Sequence, residues 1–141
     1  MAETVRFHFD VDGENFTMAG QASVAVKKNL RQLGVSPETI RRVSIAMYEG
    51  EINMVIHAGG GEADVLIFED RIEIHLCDNG PGIANIDLAM QEGFSTAPDN
   101  IRALGFGAGM GLPNMKRYTD NMKIESYVGA GTTVTMRVNC R

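Results

Sequence analysis

Three groups of residues in this chain have types and spacings that could do chemistry. Glu49, Asn53 and His57 recur every fourth residue, so on a helix they stack in one row along a single face. Ile45, Ile52 and Ile56 fall to one side of that row and Val43, Met47 and Met54 to the other. The row therefore sits in the middle of an apolar arc, with Arg41, Ser44, Tyr48 and Glu51 expected toward solvent. A carboxylate, an amide and an imidazole turned toward a core are costly unless they find partners. Either neighbouring protein groups satisfy them, or a ligand or metal does. The second group is Asp78-Asn79-Gly80-Pro81-Gly82, where a carboxylate ends a hydrophobic strand. The two glycines let a backbone or a flat ring approach closely, although the same five residues also make a good turn. The third is Gly105, Gly107, Gly109 and Gly111, alternating immediately before a helix. Free backbone N–H groups and a positive helix end form an anion cradle; a plain hinge is the alternative. The spacing matches neither the Gly-Lys-Ser/Thr phosphate loop nor the strand-first dinucleotide fingerprint.

The elements that must hold these groups follow from periodicity. Val5, Phe7, Phe9 and Val11 alternate with Arg6, His8 and Asp10, which predicts a half-buried strand. A helix is expected from Met18 to Leu33, closed by Gly34. Ser36-Pro37 supplies an N-cap and a first-turn proline for a longer helix running to about Ala58, which Gly59, Gly60 and Gly61 stop as a turn. Ala63 to Glu69 and Arg71 to Asp78 read as two strands joined around Asp70. Ile86 to Gln91 suits a short helix, and residues 92–110 have the length of a functional lid. Leu112 to Tyr118 resumes as a helix with Pro113 in its first turn. Met122 to Val128 and Thr132 to Val138 close as a hairpin around Gly129-Ala130-Gly131. This order predicts one α/β domain over residues 1–141, a two-layer sandwich with helices on one face of a mixed sheet.

Composition narrows the function classes. The chain has 141 residues, 44% hydrophobic and 22% charged, with a formal net charge of −5. That is the wrong sign for coating nucleic-acid phosphates. No apolar run reaches the length that spans a bilayer, and the N-terminus lacks a signal-peptide organisation, so a cytoplasmic protein is expected. Cys77 and Cys140 have neither metal spacing nor a disulfide framework. Sixteen glycines are many for this length. Gly50 is out of place, because glycine inside a helix costs up to about 1 kcal/mol relative to alanine.

Taken in order, Glu49-x-x-x-Asn53-x-x-x-His57, Asp78-x-Gly80-x-Gly82, the glycine run and Gly131-Thr132-Thr133 resemble the ATP-binding motifs of the gyrase, Hsp90, histidine-kinase and MutL superfamily. The resemblance covers nearly the whole chain and implies the Bergerat ATP-binding fold with a glycine-rich ATP lid. Within the superfamily the chain looks most like the small bacterial serine protein kinases of partner-switching systems, the anti-sigma factors and the stressosome switch kinase. The stretches Ile86 to Thr96 and Gly111 to Arg117 are especially similar to the latter.

The resemblance implies roles residue by residue. Asp78 would accept a hydrogen bond from the adenine amino group, as an acceptor-only carboxylate can, with Gly80 and Gly82 leaving room for the ring. Thr132 or Thr133 would support that aspartate; strand alternation favours Thr132. Asn53 would ligate Mg²⁺, and Glu49 would be the general base acting on a serine hydroxyl or water. Gly105, Gly107, Gly109 and Gly111 would wrap the phosphates, while His57 would orient the asparagine or simply pack, packing being favoured. The implied activity is ATP-dependent phosphorylation of a serine or threonine on a small antagonist protein. A sigma factor, a phosphatase regulator and a second copy are further implied partners. An ATP-gated binding regulator with little catalysis is the alternative. A phospho-acceptor helix pair or a transducer domain is not expected.

Overall fold

The computed structural model describes residues 4–13, 19–91 and 111–140. Strand β1 (Val5–Asp12) alternates as its sequence requires, with Val11 buried and Arg6, His8 and Asp10 exposed. Helix α1 (Gln21–Gln32) follows, then α2 (Pro37–Asn53), whose N-cap Ser36 accepts from the Thr39 amide at 3.3 Å. The long helix does reach Ala58, but its last five residues, Met54–Ala58, form a π turn closed by left-handed Gly59. Gly60 and Gly61 do not extend the turn: they open strand β2 (Gly60–Ile67), pairing with Asp12 and Val11. Strand β3 is Arg71–Asp78 and α3 is Ile86–Ala89. Helix α4 (Gly111–Arg117) precedes the hairpin of β4 (Asn121–Tyr127) and β5 (Gly131–Asn139).

The strand order is β1-β2-β3-β5-β4 and every ladder is antiparallel. The two-layer α/β sandwich is as expected, but the sheet is not mixed. Two helices rather than one separate β1 from β2, so the chain returns in the opposite sense. The crossover from β3 to β4 does leave those strands parallel, but β5 pairs between them and no parallel ladder forms.

The helices cover one face. Val26 and Leu30 of α1, Val43 and Met47 of α2, Met115 of α4 and the inward residues Val65, Ile72, Ile74, Met136 and Val138 form one buried cluster. Gly50 has its explanation here. A Cβ on it would lie 2.1 Å from Leu76 Cδ1 and 3.3 Å from Met115 Cε. The middle of α2 lies flat on β3, and a methyl group at this position would have to displace the Leu76 side chain.

Candidate functional site

Asp78 ends β3 on the helix-covered face, in register with Thr132 of β5, which in turn pairs with Ser126 of β4. One oxygen, Oδ1, accepts from the Gly80 amide at 2.9 Å and from the Thr132 amide at 3.2 Å. These two donors fix the carboxylate plane, and among the described residues Oδ2 has no hydrogen-bond partner. Thr132 is buried, and its hydroxyl shares a 2.7 Å hydrogen bond with the Ser126 hydroxyl. The link from Thr132 to Asp78 thus runs through its main chain. Thr133 points to the other face of the sheet, where its hydroxyl lies 3.7 Å from Cys77 Sγ.

The two loop glycines have steric causes. A Cβ on Gly80 would strike Ala58, and one on Gly82, which is left-handed at φ 79°, would strike the Tyr127 carbonyl. The loop is wedged between the end of the π turn and the β4–β5 turn, where the Gly129 amide donates to the Pro81 carbonyl at 2.8 Å. A Cβ on Gly61 would sit 3.0 Å from Met54 Sδ and 3.1 Å from Asp78 Cβ. The start of the π turn and the Asp78 carboxylate are therefore neighbours across β2. A bulge of this kind recurs at functional sites because it re-aims side chains without ending the helix.

The polar row of α2 meets α4 instead of solvent. Gly111 lies against the Asn53 amide group, since a Cβ there would be 2.8 Å from Asn53 Oδ1. Asn53 Nδ2 donates to Met115 Sδ at 3.7 Å. Glu49 is half-buried. Desolvation holds its carboxyl above the usual range, and a hydrogen bond from the Asn114 side chain partly opposes the rise. His57 lies in the π turn; its overall surface is exposed, yet desolvation of its ring holds the imidazole below the usual range. Gly105, Gly107 and Gly109 lie outside the described residues.

Glu51 corrects the expected solvent face of α2. It is buried, and its carboxylate accepts from the amides of Gly20 at 2.9 Å, Ala22 at 3.2 Å and Ser23 at 3.0 Å. Helix α1 begins after Gly20 with no side-chain cap of its own and no acid in its first turn. A carboxylate from another helix satisfies its orphan amides and its positive end. Ser44, also placed toward solvent by periodicity, has a buried hydroxyl oxygen. The groups that sequence reasoning missed are Glu51, Ser126, Asn114 and Met115. Only the uncapped start of α1 hinted at any of them.

An acceptor carboxylate held by two amides thus lies beside a helix carrying an amide and a second, desolvated carboxylate. Residues 13–138 match the histidine kinase-like ATPase domain. The anti-sigma F factor of Clostridium acetobutylicum is 35% identical over 121 residues, which are 82% of this chain and 81% of that protein. The serine/threonine-protein kinase RsbT of Bacillus subtilis is 32% identical over 108 residues, 74% of this chain and 75% of that one. A crystal structure of the RsbU and RsbW domains of Rv1364c from Mycobacterium tuberculosis superposes with a TM-score of 0.65 at 16% identity. It covers 95% of this chain, which spans about a third of that structure (32%), and shares the fold. The chain belongs to the histidine kinase-like ATPase family, in the branch of anti-sigma factors and switch serine/threonine kinases.

Proposed function

We propose that this chain is an ATP-dependent serine/threonine protein kinase of a bacterial partner-switching system, acting in the cytoplasm on a small antagonist protein. One observation carries the reading: Asp78 Oδ1 is held by two amides, across β2 from the helix that carries Asn53 and the desolvated Glu49. The names of the relatives, an anti-sigma factor and a serine/threonine kinase, supply the reaction class. Among the described residues no helix is long and apolar enough to cross a membrane.

The residues present fit Mg²⁺-ATP. Asp78 Oδ2 would accept from the adenine amino group, which is a donor, with the Thr132 amide holding the carboxylate in place. Asn53 Oδ1 would be the protein ligand of Mg²⁺, an ion that takes few side chains and keeps phosphate and water oxygens for the rest. Gly105, Gly107, Gly109 and Gly111 would close on the phosphates. The bound nucleotide supplies the phosphoryl group. Glu49 accepts the proton of the attacking hydroxyl, from a partner's serine or threonine or from water. Its raised pKa makes it a stronger base.

The test is phosphotransfer from labelled ATP, with Mg²⁺, to candidate antagonist domains by the wild type and Glu49→Ala. Transfer by the wild type alone is expected. No transfer by either, with nucleotide still bound, would leave an ATP-gated binding regulator as the function.

A further inference from the structure

We propose that Ser126 is a positioning residue for the nucleotide base: by donating to Thr132 it turns the Thr132 hydroxyl hydrogen toward the base and sharpens the choice of adenine over guanine. The inference rests on the nucleotide reading of Asp78 given above and deepens it.

The strand registers set out the inward face of the sheet in rows. Ile74, Met136 and Met122 form one cross-strand row, and Leu76, Val134 and Ile124 the next. The third row is Asp78, Thr132 and Ser126. The first two rows belong to the apolar core under the helices, whereas the row nearest the Asp78 loop is wholly polar. Ser126 shares its face with half-buried Met122 and Ile124, while Lys123, Glu125 and Tyr127 are exposed. A serine therefore stands inward where the alternation of its own strand calls for an apolar residue.

Counting hydrogens gives that serine a task. A serine hydroxyl has one hydrogen and two lone pairs. The Ile83 amide donates to Ser126 Oγ at 2.7 Å and uses one lone pair. The remaining partners are Thr132 Oγ1 at 2.7 Å and the Gly131 carbonyl at 3.4 Å. Only the first lies within the usual range for two oxygens. If Thr132 donated, the Ser126 hydrogen would be left to the distant carbonyl. If Ser126 donates, both of its short contacts are used and the Thr132 hydrogen is released. Among the described residues Thr132 Oγ1 has no other hydrogen-bond partner, so that hydrogen is available to a bound base.

Asp78 and Thr132 then present a pair of opposite character, an acceptor at Oδ2 and a donor at Oγ1. Adenine offers the complement, an amino hydrogen beside a ring-nitrogen lone pair. Guanine offers a carbonyl oxygen beside a ring N–H, so like would meet like. Thr132 would adapt to guanine only by reversing its hydroxyl, which returns the Ser126 hydrogen to the carbonyl 3.4 Å away.

The experiment is titration calorimetry of Mg²⁺-ATP and Mg²⁺-GTP on the full chain. Wild type, Ser126→Ala, Ser126→Thr, Thr132→Val and the Ser126→Ala, Thr132→Val double variant are compared, with melting curves confirming each folded state. Ser126→Ala should lower ATP affinity and raise GTP affinity. The preference for ATP should shrink roughly five- to tenfold, the worth of one neutral hydrogen bond. Ser126→Thr keeps the hydroxyl and should restore the preference. Ser126→Cys, with a weak donor, should show the alanine shift and serves where the alanine variant does not fold. In the Thr132→Val background the serine change should leave the preference unmoved, because its effect passes through Thr132. Loss of the Ile83 contact alone would weaken both nucleotides together. An unchanged preference in folded Ser126→Ala, or an equal shift with and without Thr132, overturns the proposal and leaves the adenine reading of Asp78 standing. A folded wild type that binds neither nucleotide overturns both.

Discussion

Glu49 and Glu51 stand two residues apart on the same helix, and their surroundings could hardly differ more. Glu51 is 3% exposed and has three backbone amides around its two oxygens. Glu49 is half-buried, has one side-chain donor, and is pushed toward the protonated form by desolvation. A carboxylate engaged by three main-chain donors caps the start of a helix that lacks a side-chain cap of its own. A carboxylate that is desolvated but under-supplied with donors is a base in waiting. The difference comes from what α2 faces on either side: the start of α1 on one, and the side chains of α4 on the other.

Replacing each glutamate in turn separates the two most sharply. Glu49→Gln should cut phosphotransfer by roughly a hundredfold or more, the ordinary contribution of a positioned general base, with ATP affinity retained and no loss of stability. Phosphotransfer measured beside calorimetry checks it. Glu51→Ala should instead lower stability by about 3 kcal/mol, because three amides in a buried setting lose a charged acceptor. Urea denaturation reads that loss, and any residual folded protein should keep its ATP affinity. Gly50→Ala tests the floor between the two carboxylates. Its methyl group meets Leu76 at 2.1 Å, and overpacking of about 2 kcal/mol should exceed the gain in helix propensity. A more stable Gly50→Ala variant would show that α2 can lift from β3.

The smallest effect is on the pH dependence of stability. The folded pKa of Glu49 lies above its unfolded value, so the native state binds more protons there and stability falls as pH rises through that window. Glu49→Gln removes the loss. The variant should melt higher than wild type above the window, and the difference should close below the ordinary carboxylate range. Melting curves across that range would contradict the desolvation of Glu49 if the two proteins stayed parallel.

Much of this was legible in the residues. Period-two alternation placed β1 and β3 within a residue, and Ser36-Pro37 located the start of α2, because caps and periodicity are local properties. The row of Glu49 and Asn53, and the turn beginning at Asp78, emerged for the same reason. What escaped depends on distant partners. Burial of Glu51 requires the start of α1 to arrive thirty residues earlier in the chain, and helical periodicity alone assigns it to solvent. The π turn that carries His57 is one that no local signal announces. The antiparallel character of the sheet depends on where β5 inserts, a choice made by tertiary packing. Gly50 was visible as an anomaly, but its cause, Leu76, is on another strand.

The most direct test is of the nucleotide's seat. Asp78→Asn keeps Oδ1 as acceptor for the Gly80 and Thr132 amides but turns the other acceptor into a donor facing a donor. Titration calorimetry with Mg²⁺-ATP should show affinity lower by about tenfold to a hundredfold, the worth of a hydrogen bond to a charged group, in a protein that melts as the wild type does. Undiminished affinity in that folded variant would contradict the assignment of Asp78 as the adenine acceptor.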